Sequence, residues 1–191
     1  MTAPPDNSRI SLEYLQGQPE ITIPQPHAGT FRYCIGIFMA FWLGGWAMGW
    51  KAATTELLQG TKGPDLFMFF WLGAWTVGGI LAMYFLYRLF RPSVPEKIIL
   101  SYPAMIYDTG VPPLNLSFSF GSQMDIWKKM FQKRRTIEFD SSEIMTLSLR
   151  EFDSGNRLTI DHGSERYDLA AGASEPEREW LFGILKEHYR I

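Results

Sequence analysis

Two long apolar segments between residues 31 and 90 dominate the hydrophobic pattern of the chain. The first, Phe31 to Trp50, carries one charge near its outer end, and the second, Leu66 to Leu89, carries none before Arg88. About 20 apolar residues at a rise of ~1.5 Å each cross a hydrocarbon core ~30 Å thick. Neither segment has a polar face. The pattern predicts a transmembrane helical hairpin.

Positive charges flank the outer ends of both segments. They are Arg9 and Arg32 before the first segment and Arg88, Arg91 and Lys97 after the second. The connection from Lys51 to Asp65 instead balances two lysines against two acidic residues. Because Lys and Arg are enriched on cytoplasmic flanks, we expect a multi-pass protein with both termini in the cytoplasm.

Small residues recur at a spacing of four in both segments. They are Gly36, Ala40, Gly44, Gly45 and Gly49 in the first and Ala74, Gly78 and Ala82 in the second. This spacing lets helix backbones approach closely in lipid, where no hydrophobic force drives association. The residues therefore either close the hairpin on itself or dock another membrane protein.

Tryptophans also follow this spacing, as Trp42, Trp46 and Trp50 in the first segment and Trp71 and Trp75 in the second. Trp50 suits the membrane–water interface. Trp42 and Trp46 lie deeper, and we expect them to fill the interface of the hairpin; packing against a partner helix or a pigment ring is the alternative.

Residues 1–30 are rich in proline and polar residues, which disfavours a helix through most of the segment. Only Glu20 to Ile23 alternates like a strand. We expect an irregular N-terminal arm that adds one edge strand to the soluble domain; a disordered tip is the alternative.

Beyond a proline-bounded linker at residues 91–95, the period changes from helical to alternating. The segments are short, are bounded by turn residues and leave no room for a crossover helix, so an antiparallel meander is predicted. Its seven strands are 97–102, 105–109, 115–120, 135–139, 144–152, 157–161 and 166–169.

A helix is predicted at the C-terminus. Ser174 and Glu177 form a capping box, and Pro176 lies in the first turn, where its missing N–H is not needed. The apolar stripe consists of Trp180, Leu181, Ile184 and Leu185. We expect this helix to cover the open end of a strand barrel.

An insertion at residues 121–133 separates the third and fourth predicted strands and combines apolar with basic residues. Folded as a helix, it would be amphipathic and would bind anionic lipid or an acidic protein face; the alternative is packing on the barrel with a solvated rim. The predicted contact residues are Trp127, Lys128, Lys129, Met130, Phe131, Lys133, Arg134 and Arg135.

Candidate chemistry is sparse. His27, His162 and His188 show no metal-ligand spacing, and there is no phosphate loop or nucleophile elbow. The net charge of −2 argues against a nucleic-acid partner, and the lone Cys34 forms no internal disulfide. We expect no enzyme activity, no cofactor and no metal.

The order of these parts resembles the bacterial pleckstrin-homology-like (PH-like) domains of uncharacterised inner-membrane proteins. The resemblance rests on a two-helix anchor before a seven-strand module, on the strand Arg135-Thr-Ile-Glu-Phe followed by Ser142-Glu-Ile144, and on the Trp180 helix. It implies a seven-stranded antiparallel barrel capped by a helix over residues 95–191, in the inner membrane of a bacterium. It also implies work as a scaffold, assembly factor or accessory subunit.

Two functions follow as hypotheses. The first is an interaction protein that holds an integral membrane protein complex through its spans and its PH-like face. The second is a sensor or regulator at the surface of the phospholipid bilayer, whose insertion binds anionic lipid.

Overall fold

The computed structural model describes residues 3–15, 17–26, 29–59, 66–114, 130–153 and 155–191. They divide into two compact units. The β-unit comprises residues 1–27, 93–113 and 131–191, and the hairpin unit comprises residues 28–92 and 114–130, within the described ranges.

The elements are as follows. The strands are β1 (Ser11–Leu15), β2 (Gln18–Ile23), β3 (Glu96–Leu100), β4 (Met105–Asp108), β5 (Thr136–Phe139), β6 (Ser148–Phe152), β7 (Gly155–His162) and β8 (Glu165–Leu169). The helices are α1 (Phe31–Gln59), α2 (Leu66–Phe90), α3 (Ser141–Ile144) and α4 (Glu175–Tyr189).

The first sheet runs β1-β2-β3-β4-β5 with every neighbour antiparallel. The pairing of β2 with β3 joins the chain before the apolar hairpin to the chain after it, because β2 precedes α1 and β3 follows α2. Ile23 lies opposite Glu96. The arm expected to be irregular with one strand thus contributes two strands, β1 and β2, and residues 3–10 and 24–26 lie outside them. The strand expected at Glu20–Ile23 is confirmed within β2, but it lies inside the sheet, and β1 forms the edge.

The second sheet contains β6, β7 and β8 in that order. The predicted seven-stranded closed barrel is wrong, because the described strands form separate sheets of five and three. The predicted strand 144–152 begins only at Ser148, because Asp140 caps α3 through the backbone N–H groups of Ser142 and Glu143. The strand predicted at 115–120 lies outside the described residues.

Helix α4 confirms the predicted C-terminal helix and packs against β6 and β7. Leu181, Ile184 and Leu185 are buried in the core of the β-unit, and Trp180 packs beside them. Residues from both sheets complete this core, including Ile21, Ile98 and Phe139 from the first and Leu158 and Ile160 from the second.

Glu96 joins the two sheets at the start of β3. Its carboxylate, only 4% exposed, accepts hydrogen bonds from Gln25 Nε2, Tyr107 Oη and the backbone N–H of Ala170, each at 3.0 Å. Ala170 directly follows β8, so one carboxylate connects three strands. Burial raises the pKa of Glu96, and these hydrogen bonds offset that effect only in part.

Glu177 ties the N-terminal segment to α4. Its carboxylate accepts from the Ser8 hydroxyl at 2.8 Å, the Arg9 backbone N–H at 3.0 Å, and the backbone N–H and hydroxyl of Ser174 at 2.7 and 2.8 Å. Burial by itself would raise the pKa of Glu177, but these hydrogen bonds outweigh burial and lower it to about 2.

The hairpin unit contains two helices that are long and apolar enough to cross a membrane. Only 6% of the most apolar window of each helix is buried, whereas the core helix of a soluble protein would be mostly buried. Helix α1 continues past the predicted end at Trp50 to Gln59, and there the Thr54 and Thr55 hydroxyls donate to the Lys51 carbonyl.

Replacing residues 27–92 with a flexible linker of about four residues should give a water-soluble, folded β-unit, because Ile23 and Glu96 are paired neighbours. Circular dichroism and a cooperative thermal transition would measure folding. A chain that begins at Ser93 is the comparison: it lacks β1 and β2, and we expect it to aggregate. Cooperative folding of that shorter chain would contradict the sheet order.

The substitution Glu177→Gln should lower the free energy of unfolding at pH 7 by about 2 kcal/mol. Because folding lowers the pKa of Glu177, its contribution is complete above pH 4.5 and is lost as the pH falls towards 2. Urea unfolding in detergent micelles should therefore show the difference from the unsubstituted protein shrinking between pH 5 and pH 2. Glu175→Gln, in the same turn, is the control; an equal, pH-independent loss in both variants would contradict this role.

Candidate interaction surfaces

The contact between α1 and α2 is built on two glycines. A Cβ atom at Gly79 would lie 2.1 Å from the ring of Trp46, and one at Gly36 would lie 2.4 Å from the ring of Phe90. Each aromatic ring thus occupies the space that a side chain on the facing helix would need. Gly36 was among the predicted packing residues. Gly79 was not predicted, because it is one position after Gly78 and so does not fit the spacing of four.

Tryptophan hydrogen bonds cross the same contact. Trp46 Nε1 donates to the Trp75 carbonyl at 3.0 Å, and Trp50 Nε1 donates to the Thr76 hydroxyl at 2.8 Å. The Thr76 hydroxyl donates in turn to the Leu72 carbonyl at 2.7 Å. The expected packing inside the hairpin is confirmed for Trp46, whereas Trp42 is 42% exposed and faces outward.

The remaining predicted small residues divide between two faces. A Cβ atom at Gly49 would lie 4.0 Å from the Trp75 ring, and Ala82 is half-buried. Gly44, Gly45 and Gly78 have no atom within 4 Å of a Cβ built on them. Ala40 and Ala74 are also exposed. Five small residues therefore lie on faces that the described part of the hairpin does not cover.

The predicted insertion is described only at its C-terminal end. Trp127, Lys128 and Lys129 lie outside the described residues. Met130 is 4% exposed, and its carbonyl accepts a hydrogen bond from Tyr84 Oη at 3.3 Å within the hairpin unit. Phe131 is 52% exposed. Met130 is therefore a buried contact of α2.

Three basic residues follow in the β-unit. Arg134 forms a two-pronged ion pair with Asp108: its Nε donates to Oδ1 and Oδ2 at 3.0 and 2.8 Å, and its Nη2 donates to Oδ2 at 2.5 Å. Burial opposes the shift, but the hydrogen bonds from Arg134 and the Gly110 backbone N–H lower the pKa of Asp108. Lys133 and Arg135 are exposed. Arg134 is thus held by Asp108, and the Arg135 side chain interacts with Tyr167.

Histidine and carboxylate side chains meet at the end of β7. His162 Nδ1 lies 2.9 Å from Glu143 Oε1, and the His162 ring packs edge-on against Phe139 at 5.5 Å. The other Glu143 oxygen accepts the backbone N–H of Asp140 in the α3 cap. Within the described ranges, no three His, Cys, Asp or Glu side chains converge as metal ligands. The contact between His162 and Glu143 links β7 to α3.

A cavity of about 340 Å³ lies where β7 and β8 meet the start of α4. Arg157, Asp168 and Arg178 are among its lining residues. This cavity was not predictable from the sequence, because these charged residues come from three elements and have no recognisable spacing. The partial signal was Arg157, which alternates with buried residues along β7.

Comparisons with protein families, with curated proteins and with solved structures found no match to this chain.

Leucine at Gly79 should open the hairpin, whereas leucine at Gly78 should not, because only Gly79 faces the Trp46 ring. Spin labels attached to cysteines at two exposed positions, Met48→Cys and Phe70→Cys in a Cys34→Ser background, report the separation of the helices in lipid nanodiscs. We expect Gly79→Leu to widen the distance by roughly 2–3 Å, towards ordinary helix spacing. Equal distances in both variants would contradict the assigned contact.

Proposed function

We propose that this chain is a non-enzymatic, membrane-anchored interaction protein that serves a larger integral membrane complex as scaffold, assembly factor or accessory subunit. Its location in this proposal is the inner membrane of a bacterium, with α1 and α2 crossing the bilayer. Both termini and the β-unit lie in the cytoplasm, as the basic residues flanking the hairpin favour.

The observation that carries this proposal is the division of small residues between two faces of the hairpin. Gly36 and Gly79 accommodate aromatic rings of the facing helix, whereas Gly44, Gly45 and Gly78 face away from it. In lipid, helices associate through close packing at small residues. An outward small-residue face beside a closed hairpin therefore supports contact with a helix of another protein.

The hydrogen bonding of the β-unit supports a non-enzymatic role. Glu96 and Glu177 are buried, and each accepts at least three hydrogen bonds, including bonds from segments distant in sequence. Asp108 holds Arg134, and Glu143 lies against His162. These acids and bases are engaged in contacts that stabilise the fold, whereas a catalytic acid or base needs access to a substrate.

We also propose that the β-unit is a PH-like domain. Antiparallel sheets followed by a C-terminal helix support this assignment. The unit differs from the seven-strand module in having two sheets of five and three strands and in drawing β1 and β2 from the chain before the hairpin.

The second candidate function is binding of anionic lipid at the bilayer surface. The observation that favours it is that Phe131, Lys133 and Arg135, one aromatic residue and two cations, are all exposed within five residues of sequence. Cations near an anionic bilayer contribute roughly 1 kcal/mol each, and an aromatic ring suits the headgroup region.

Substituting leucine at both Gly44 and Gly78 should remove the partner complex while leaving the hairpin intact, because these residues face outward. The measurement is quantitative mass spectrometry of proteins that co-purify from the native membrane in mild detergent. We expect at least a tenfold loss of the partner in this variant and no loss in Val77→Leu, an exposed α2 position that lacks a small residue. Unchanged co-purification would contradict the docking face.

The chain in which a linker replaces residues 27–92 distinguishes lipid binding from partner binding. The variant replaces Lys128, Lys129 and Lys133 with glutamate. If it no longer floats with phosphatidylglycerol vesicles, while the corresponding full-length variant still co-purifies with the partner, the basic segment binds lipid. Loss of co-purification without loss of flotation would assign it to the partner.

A further inference from the structure

The cavity between β7, β8 and α4 is lined by charged residues from three elements. Leu158 and Leu169, which are paired across β7 and β8, border it, but they are 0% and 1% exposed and belong to the core of the β-unit. Arg157 and Arg178 contribute two positive charges to the lining, and Asp168 contributes one negative charge. A volume of about 340 Å³ exceeds that of a single amino-acid side chain and falls at the small end of ligand pockets.

Arg178 is held in place before any ligand arrives. Its Nε donates to Asn156 Oδ1 at 2.9 Å, and its Nη1 donates to the Ala173 carbonyl. Asn156 is itself 8% exposed, and its Nδ2 donates to the Glu175 carbonyl at 3.4 Å. These contacts fix the guanidinium through its Nε and Nη1 groups. Among the described residues Nη2 has no hydrogen-bond partner, and fixing a donor in advance reduces the entropy lost on binding.

Arg157 is held more loosely. Its Nη1 lies 3.7 Å from Asp168 Oδ2, which is too long for a hydrogen bond, and its guanidinium lies 5.0 Å from the centre of the Phe152 ring. Arg150 is directly opposite Arg157 across β6 and β7. Like charges in opposed positions of a sheet repel each other. An added anion would relieve this repulsion and give Arg157 a close partner.

From this arrangement we propose that the cavity binds a carboxylate-bearing peptide segment of a protein partner, with the carboxylate between Arg157 and Arg178. The inference rests on the proposed interaction function and specifies the partner chemistry. The two arginines and Asp168 sum to one positive charge, which matches a single carboxylate better than a phosphate group of charge about −2. Arginine also binds carboxylates in a two-pronged geometry.

The position of β8 suits an extended peptide. β8 is an edge strand of the three-stranded sheet, so its outer backbone groups have no strand neighbour among the described residues. A segment lying along this edge would place alternate side chains toward the cavity, the arrangement by which extended peptides are added to sheets.

The test uses the full-length chain in phosphatidylcholine nanodiscs and the peptide fluorescein-aminohexanoyl-Gly-Ser-Leu-Glu-Leu-Gly-Ser-amide, whose dissociation constant is measured by fluorescence anisotropy. We expect saturable binding that weakens at least tenfold when glutamine replaces the peptide glutamate. The Arg157→Gln variant should weaken binding about tenfold, the loss of one charge-assisted contact. Arg166→Gln is the matched control: Arg166 lies in the same sheet but outside the cavity lining, paired with Asp161 at 2.6 Å, and its loss should change binding less than twofold.

Several results would overturn the inference. These are no saturable binding of the peptide, equal weakening by Arg157→Gln and Arg166→Gln, and displacement by inorganic phosphate at concentrations similar to those of the unlabelled peptide. Phosphatidylglycerol vesicles whose binding depends on Arg157 while the peptide does not bind would assign the cavity to lipid instead. Peptide binding is measured without a membrane partner, so failure of the co-purification experiment leaves it unaffected, and failure of peptide binding leaves the outward glycine face standing.

Discussion

The pairing of β2 with β3 is the constraint on which the rest of the structure depends. These strands are separated by more than 70 residues of sequence, yet Ile23 lies opposite Glu96 in one sheet. The sheet can form only if the chain that leaves after β2 returns to the same place before β3. An even number of helices with antiparallel directions meets this requirement, and α1 and α2 supply it. The apolar hairpin is thus an insertion within the β-unit, and both of its ends start from adjacent strands.

Buried polar groups hold the pieces of this interrupted unit together. Glu96 receives hydrogen bonds from segments on both sides of the hairpin and from the end of β8. Glu177 connects α4 to Ser8 and Arg9, more than 160 residues away in sequence. A buried carboxylate costs free energy unless its hydrogen bonds are satisfied, so each such group strongly favours one arrangement of the chain. In the hairpin, where lipid would offer no hydrogen bonds, the Trp46 and Trp50 indoles have a comparable role.

Features that depend on local pattern were predictable from the sequence. Both apolar helices, the cap and buried stripe of α4, and β4, β5 and β7 follow from periodicity and turn residues. Features that depend on distant partners were not predictable. The segment before the hairpin was expected to be mainly irregular because its prolines disfavour a helix, but β1 and β2 gain their stability from β3, which no local pattern shows.

The strand predicted from Ile144 failed because the Asp140 cap, a local signal, competed with an alternating pattern and stabilised α3. In the hairpin, a spacing of four identified small residues but not the faces on which they lie, since Gly78 and Gly79 differ only in the Trp46 ring opposite one of them.

The most direct test of whether the hairpin spans a membrane is to determine the side of the membrane on which each part of the chain can be labelled. Single cysteines at Leu58, in the last turn of α1, and at Asp153, in the turn between β6 and β7, can be introduced into a Cys34→Ser background and treated with a membrane-impermeant maleimide. The account predicts that in intact spheroplasts Leu58→Cys is labelled from outside, whereas Asp153→Cys is labelled only after the membrane is permeabilised. Labelling of both positions from the same side, or recovery of the protein in the soluble fraction, would contradict it.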